Sequence, residues 1–161
     1  MLLRERSGMA NAIDVAAYIL EQIGSVTTMK LQKLVYYTQV RYLVMNGRPL
    51  FSDEIQAWAN GPVAPNLYHI HSGRYMIGRG GLGQYGSADA LSFAEKAAAS
   101  YVVSKLGALS GEQLRSLSHS ERPWQDARKG YAPGARCSVP ISIESMKSFY
   151  SSPECSNPVV R

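Results

Sequence analysis

The sequence predicts a mainly α fold: a single compact domain of six to seven helices around a central buried helix at about 28–46, with a small two-stranded β ribbon. Three observations carry this. A chain of 161 residues with 45% hydrophobic side chains is long enough to bury roughly two-thirds of its unfolded surface in one core. Capping residues repeatedly stand just ahead of apolar residues at helical spacing. Strand texture is confined to short segments.

The first helix is capped by Asn11, with Asp14 three residues on, and is ended by Gly24. Between them Ile13, Ala16, Ala17, Leu20 and Ile23 form one apolar stripe. The second helix runs from about Thr28 to Asn46, with Gly47 and Pro49 beyond. Leu31, Leu34, Val35, Tyr42 and Met45 lie on one side of it, and Met29, Tyr36, Val40, Leu43 and Val44 on the other. A helix apolar on both sides is covered on both sides, which makes it the centre of the fold.

Residues 55–58, Ile-Gln-Ala-Trp, read as a short strand able to pair with Val139–Ile141, and Asn60-Gly61-Pro62 as a turn. Pro65 suits the first turn of a short helix through Ile70. Residues 73–87 hold six glycines and are expected to form a mobile loop. Ser92 with Glu95, and Ser110 with Gln113, are capping boxes that open two further helices. A short helix with Pro123 in its first turn and a last helix capped by Ser142 complete the domain. Residues 1–8 read as disordered or an extension, 9–150 as the domain, and 151–161 as a loose tail with two prolines.

Several chemistries find no support. Gly78-Arg-Gly-Gly-Leu-Gly83 satisfies the spacing of a dinucleotide loop, but neither a full strand before it nor a helix start after it is expected. His69 and His71, two residues apart, diverge on a helix and do not form a metal-chelating pair. His119 beside Glu121 has the outline of a base oriented by a carboxylate, yet no nucleophile motif accompanies it, and a structural turn histidine is the simpler reading. No catalytic residue, cofactor or metal is therefore expected. Trp58 and Trp124, with Leu31, Leu34 and Pro62, are assigned to the core. No apolar run approaches membrane-spanning length. Cys137 and Cys155 match no metal spacing, and with no leader-like start they read as reduced thiols in a cytoplasmic protein.

The net charge of +5 raises nucleic acid as a partner. Lys30, Lys33, Tyr37 and Arg41 fall on one sector of the central helix, with no acid between Glu21 and Asp53. This strip reads either as a cationic edge for phosphates or an acidic protein patch, or as the solvated edge of a buried helix. Acids dilute the surplus elsewhere, and no nucleic-acid motif accompanies it, so nucleic acid is the weaker alternative. Ten tyrosines against three phenylalanines favour a protein-binding module.

Met29-Lys-Leu-Gln-Lys-Leu-Val-Tyr-Tyr37, Gly47-Arg-Pro-Leu-Phe51 and Ala57-Trp-Ala-Asn-Gly-Pro-Val-Ala-Pro65 together resemble the Panacea, or SocA-like, antitoxin domain. The later Leu117-Ser-His119 and Pro123-Trp124 fit the same pattern, so the resemblance covers about residues 9–150. It implies an antitoxin of a bacterial or phage-borne two-gene system that neutralises its cognate toxin by direct contact. It further implies, for some members, delivery of the toxin to an ATP-dependent protease. On this reading the partner-binding residues are expected to be Lys30, Lys33, Tyr37 and Arg41 on an exposed edge, with His69 and the glycine-rich loop as a rim.

Overall fold

Helix α2 (Thr28–Asn46) is the axis around which the chain is wound, and the computed structural model describes residues 9–161. The extension expected at residues 1–8 lies outside the described residues. Every residue from Leu31 to Val40 on α2 is buried, because neighbours pack against it from all sides. Among the described residues there are seven α-helices and two two-stranded antiparallel ribbons, which agrees with the mainly helical class expected.

The helix starts are local chemistry. In α1 (Ala12–Ile23) the Asn11 side chain accepts from the Asp14 amide at 2.9 Å, and the Asp14 carboxylate accepts from the Asn11 amide at 3.0 Å. The same reciprocal box opens α4 (Phe93–Leu106) with Ser92 and Glu95, and α5 (Gly111–His119) with Ser110 and Gln113. Ser142 caps α7 (Ile143–Tyr150). Each box satisfies two amides that have no partner within the helix. Helix α2 ends at Gly47, whose φ of 76° is the left-handed conformation that closes helices cheaply in glycine. Two short helices, α3 (Pro65–His71) and α6 (Arg122–Ala127), start on prolines in their first turn. Helices α1, α4, α5 and α7 all pack against α2.

Strand pairing differs from expectation in detail. The ribbon forms between β2 (Gln56–Trp58) and its immediate neighbour β3 (Gly61–Val63). The 139–141 segment does reach the other side of β2, through one bridge at Gln56 and Pro140 and the bond from the Ala57 amide to the Val139 carbonyl. A second ribbon joins β1 (Val26–Thr27) to β4 (Met76–Ile77), a pairing of two residues on each side across a long separation.

Two segments expected to be loose are packed. In the glycine-rich stretch Ile77 and Leu82 are buried in the core, Arg79 donates to the Glu21 carbonyl, and the Ser87 amide donates to Asp14. In the C-terminal segment Cys155, Asn157 and Val159 are buried, and a 3-10 turn at Pro158–Val160 lies against α2 and α4. Met45, assigned to an apolar face, is 59% exposed, because the last turn of α2 extends beyond the helices that cover its middle.

Candidate functional site

Two polar groupings stand out inside this apolar frame, one closed and one open. The closed one surrounds Glu121, the N-cap position of α6. Its Oε1 accepts from the Tyr37 hydroxyl at 2.6 Å and the Tyr150 hydroxyl at 2.7 Å, and its Oε2 accepts from the Asn157 amide at 2.7 Å. Tyr36 joins through the Tyr150 hydroxyl at 3.0 Å, and the three tyrosine rings meet edge to face. Burial raises the Glu121 pKa above the ordinary carboxylate value, and the hydrogen bonds from Asn157, Tyr150 and Tyr37 pull it back. All three tyrosines are pushed up by burial. This grouping ties α2, α6, α7 and the C-terminal segment together, with its members paired to one another and away from solvent.

The open grouping is a cleft of about 890 Å³ beside the N-terminal half of α2. Met29, Gln32 and Lys33 form its floor, Trp58 to Asn60 and Val63 one side, Pro65, Tyr68, His69 and His71 another, and residues 134 and 136–138 the far wall. Trp58 and Tyr68 pack edge to face at 4.8 Å. Arg128, itself buried, secures the far wall by donating to the carbonyls of Ala57, Ala132 and Ala135.

Interior polar residues build the floor. The Gln32 side-chain oxygen accepts from the Ala64 amide at 2.9 Å, while its nitrogen donates to the Ala64 carbonyl and meets His71 Nε2 at 3.0 Å. An amide nitrogen only donates, so His71 Nε2 accepts and the proton sits on Nδ1. Burial lowers the His71 pKa and keeps this ring neutral. Lys33 is 1% exposed, and its ammonium donates to the Pro62 carbonyl at 3.3 Å. Among the described residues no carboxylate pairs with it. Burial, with the repulsion of Arg115, draws its pKa down to about 7 from 10.5.

Lys33 also explains a glycine. A Cβ added at Gly61 would lie 2.4 Å from Lys33 Cε and 3.0 Å from Ser118 Oγ. Gly61 has a φ of 116°, so a side chain is excluded there both by backbone conformation and by the lysine stem. Beyond Gly61, His119 lies flat against Trp124 with its Nε2 buried and without a hydrogen-bond partner. Burial and the nearby cations Arg115, Lys33 and Arg128 lower its pKa to about 4.

The expected exposed cationic strip does not form. Lys33 and Tyr37 are interior, the first under the cleft and the second on Glu121. Lys30 donates to the Gly107 carbonyl at 2.6 Å and holds the α4–α5 connection. Arg41 stacks on Tyr101 at 3.7 Å and donates to the Val159 carbonyl. The tyrosines of α2 are likewise core rather than surface. Of the five residues expected to meet a partner, Lys33 and His69 come together at the cleft, and the other three are engaged elsewhere. Trp58 and Trp124 are half-buried, Trp124 packed against the core and Trp58 a wall of the cleft. Leu31, Leu34 and Pro62 are buried as expected. His119 and Glu121 face different surroundings, so the base-and-carboxylate outline is not realised. The glycine spacing at 78–83 is followed by a 3-10 turn at Ala88–Ala90 and presents no helix start to a phosphate. Among the described residues no group of three or more His, Cys, Asp or Glu is placed to hold a metal. No described helix is long and apolar enough to cross a membrane.

Gln32 is the cleft residue that spacing alone does not single out; spacing reads His71 only as a candidate metal ligand, and Gly61, which lies against Lys33 and outside the cleft lining, only as part of a turn. Its signal is present in the sequence: a glutamine inside a helix that is apolar all round has no solvated edge to occupy, so Gln32 must serve the interior.

Much of the sequence that builds this cleft matches a known family. The model described as Antitoxin SocA-like, Panacea domain, matches residues 31–125, which contain Gln32 and Lys33 of the floor and two sides of the cleft. The chain belongs to this family. It is similar to Antitoxin SocA of Caulobacter vibrioides (strain NA1000 / CB15N), at 40% identity over 57 residues. That match covers 34% of this chain and spans 30% of the relative's length. No solved structure matches.

Proposed function

We propose that this chain is a non-enzymatic, cytoplasmic antitoxin that neutralises a cognate toxin protein by direct binding. Family membership supports the antitoxin role. The observation that carries direct binding is the cleft itself: within the matched stretch, Lys33 and Gln32 lie on the floor of an open, aromatic-walled groove, and Gly61 leaves room for the Lys33 stem. Clefts that combine apolar walls with a few fixed polar groups are the default candidates for binding sites, and aromatic side chains are enriched at protein contacts.

The test is growth rescue. The adjacent reading frame, induced alone, arrests growth; co-expressed with this chain, it does not, and the two proteins co-purify. Absence of arrest, or rescue without association, rejects the role. The finer alternative within it is delivery of the toxin to an ATP-dependent protease. Immunoblotting of the toxin during rescue separates the two, since occlusion leaves its level unchanged and delivery lowers it.

A further inference from the structure

We infer that the cleft receives a carboxylate carried by a segment of the bound toxin, which becomes the counter-ion of Lys33. The inference rests on the reading of the chain as an antitoxin and deepens it by naming the chemistry of the contact.

An ammonium has three donors, and Lys33 uses one, on the Pro62 carbonyl at 3.3 Å. A buried cation without an opposite charge is unfavourable, and hydrophobic residues of similar volume usually serve stability better. Lys33 nevertheless occupies the floor, and Gly61 is kept without a side chain beneath it. The groups around it do not neutralise it. Arg115 and His119 face it from α5, and His71 and His69 from α3. Arg136 and Cys137 stand on the far wall. No carboxylate is among them, so a counter-ion for the protonated Lys33 has to come from outside.

The walls select the carrier. Trp58, Tyr68, Val63, Pro65 and Met29 present apolar and aromatic surface around the recessed Lys33, with the exposed Arg136 the other cation of the lining. A nucleic-acid backbone is met by a row of exposed cations, and this cleft has one, Arg136. A protein segment bearing one Asp, Glu or terminal carboxylate beside an apolar side chain fits both the charge and the walls.

The test uses the tagged product of the adjacent reading frame as the probe, with the full chain and its Lys33→Met variant. Methionine keeps the stem and removes the charge, and a melting temperature at or above that of the wild type shows that the variant is folded. Lys33→Met is expected to weaken toxin binding at least tenfold by calorimetry. Replacing toxin Asp and Glu residues one at a time by their amides should find one that weakens wild-type binding by a similar factor and leaves the variant unaffected. At pH 8 wild-type binding should take up close to one proton per complex, and the variant none. Variant affinity within twofold of wild type overturns the inference while leaving the antitoxin role standing. Weaker binding of the variant to a random oligonucleotide, with toxin affinity unchanged, overturns it in favour of phosphate. If wild-type chain and toxin do not associate at all, the antitoxin reading falls and the inference with it.

Discussion

His119 lies flat on Trp124, with ring centroids 3.7 Å apart and planes 11° from parallel. The stack keeps the imidazole against an indole and leaves Nε2 buried without a partner. Its proton affinity falls accordingly, to a pKa of about 4.

From this follows an acid sensitivity. Between about 4 and the ordinary value of 6.5, the unfolded chain binds the proton that the folded chain rejects. The contribution of His119 to stability is therefore present above pH 6.5 and lost as pH falls towards 4. Glu121 has the opposite sign, because its raised pKa makes the folded chain hold the extra proton just above 4.5. Comparing variants isolates the histidine. Urea unfolding at pH 7.5 and 5.0 should show a smaller loss for His119→Phe, which keeps the stack, than for the wild type; equal losses would reject the assignment.

The same reasoning applies to Lys33 in alkali. Its folded pKa is about 7 and its ordinary value 10.5, so across that interval the unfolded chain holds more protons and stability rises with pH. Below 7 the full cost of the buried charge is present. Lys33→Met should be more stable than the wild type at pH 6, by roughly 1–4 kcal/mol, and should lack the alkaline rise. Chemical denaturation at pH 6, 8 and 9.5 measures both effects.

Gly61→Ala should destabilise the chain by about 1–3 kcal/mol, the range for a residue forced into an unfavourable backbone region, with the contact to Lys33 Cε adding to the cost. Because the clash is with the lysine stem, combining it with Lys33→Ala should recover part of the loss. Purely additive effects of the two changes would show that backbone strain alone is responsible.

Glu121→Gln tests the closed network. The amide oxygen can still accept from Tyr37 and Tyr150, but the amide nitrogen then faces the Asn157 nitrogen, donor against donor. Asn157 cannot turn over freely, since its oxygen accepts from the Val159 amide at 3.0 Å. The expected cost is about 1–3 kcal/mol, with faster proteolysis of the C-terminal segment. Deleting residues 154–161 should cost more, roughly 3–5 kcal/mol, because buried Cys155 and Val159 are lost as well. A deletion as stable as the full chain would mean that the segment is a passenger.

The helix starts were legible because a capping box is closed within four residues, as Asn11, Ser92 and Ser110 show. The central helix was legible because its apolar residues surround it. The angular position of Lys33 and Tyr37 was also correct, but a helical wheel says which residues are adjacent and not which side a distant segment covers. Tyr37 is covered by Glu121 and Tyr150, and Lys33 by Gly61, contacts no local pattern announces. The interior glutamines were legible as buried but not in their partners. Gln39 accepts from the Leu50 and Phe51 amides and donates to the Phe51 carbonyl, acting as a strand for a loop that has none. The C-terminal segment lacked periodicity because single residues hold it, each with its own partner.

The Glu121 network has a kinetic consequence. Helical proteins usually fold fast because their contacts are local. Here the bonds that finish the core join residues 84 apart, Tyr37 with Glu121, and 114 apart, Tyr36 with Tyr150. Closing a 114-residue loop instead of a ten-residue one costs about 2 kcal/mol more in chain entropy. The helices should therefore form early and the chain should wait, collapsed but unfastened, until its two ends meet at a single carboxylate.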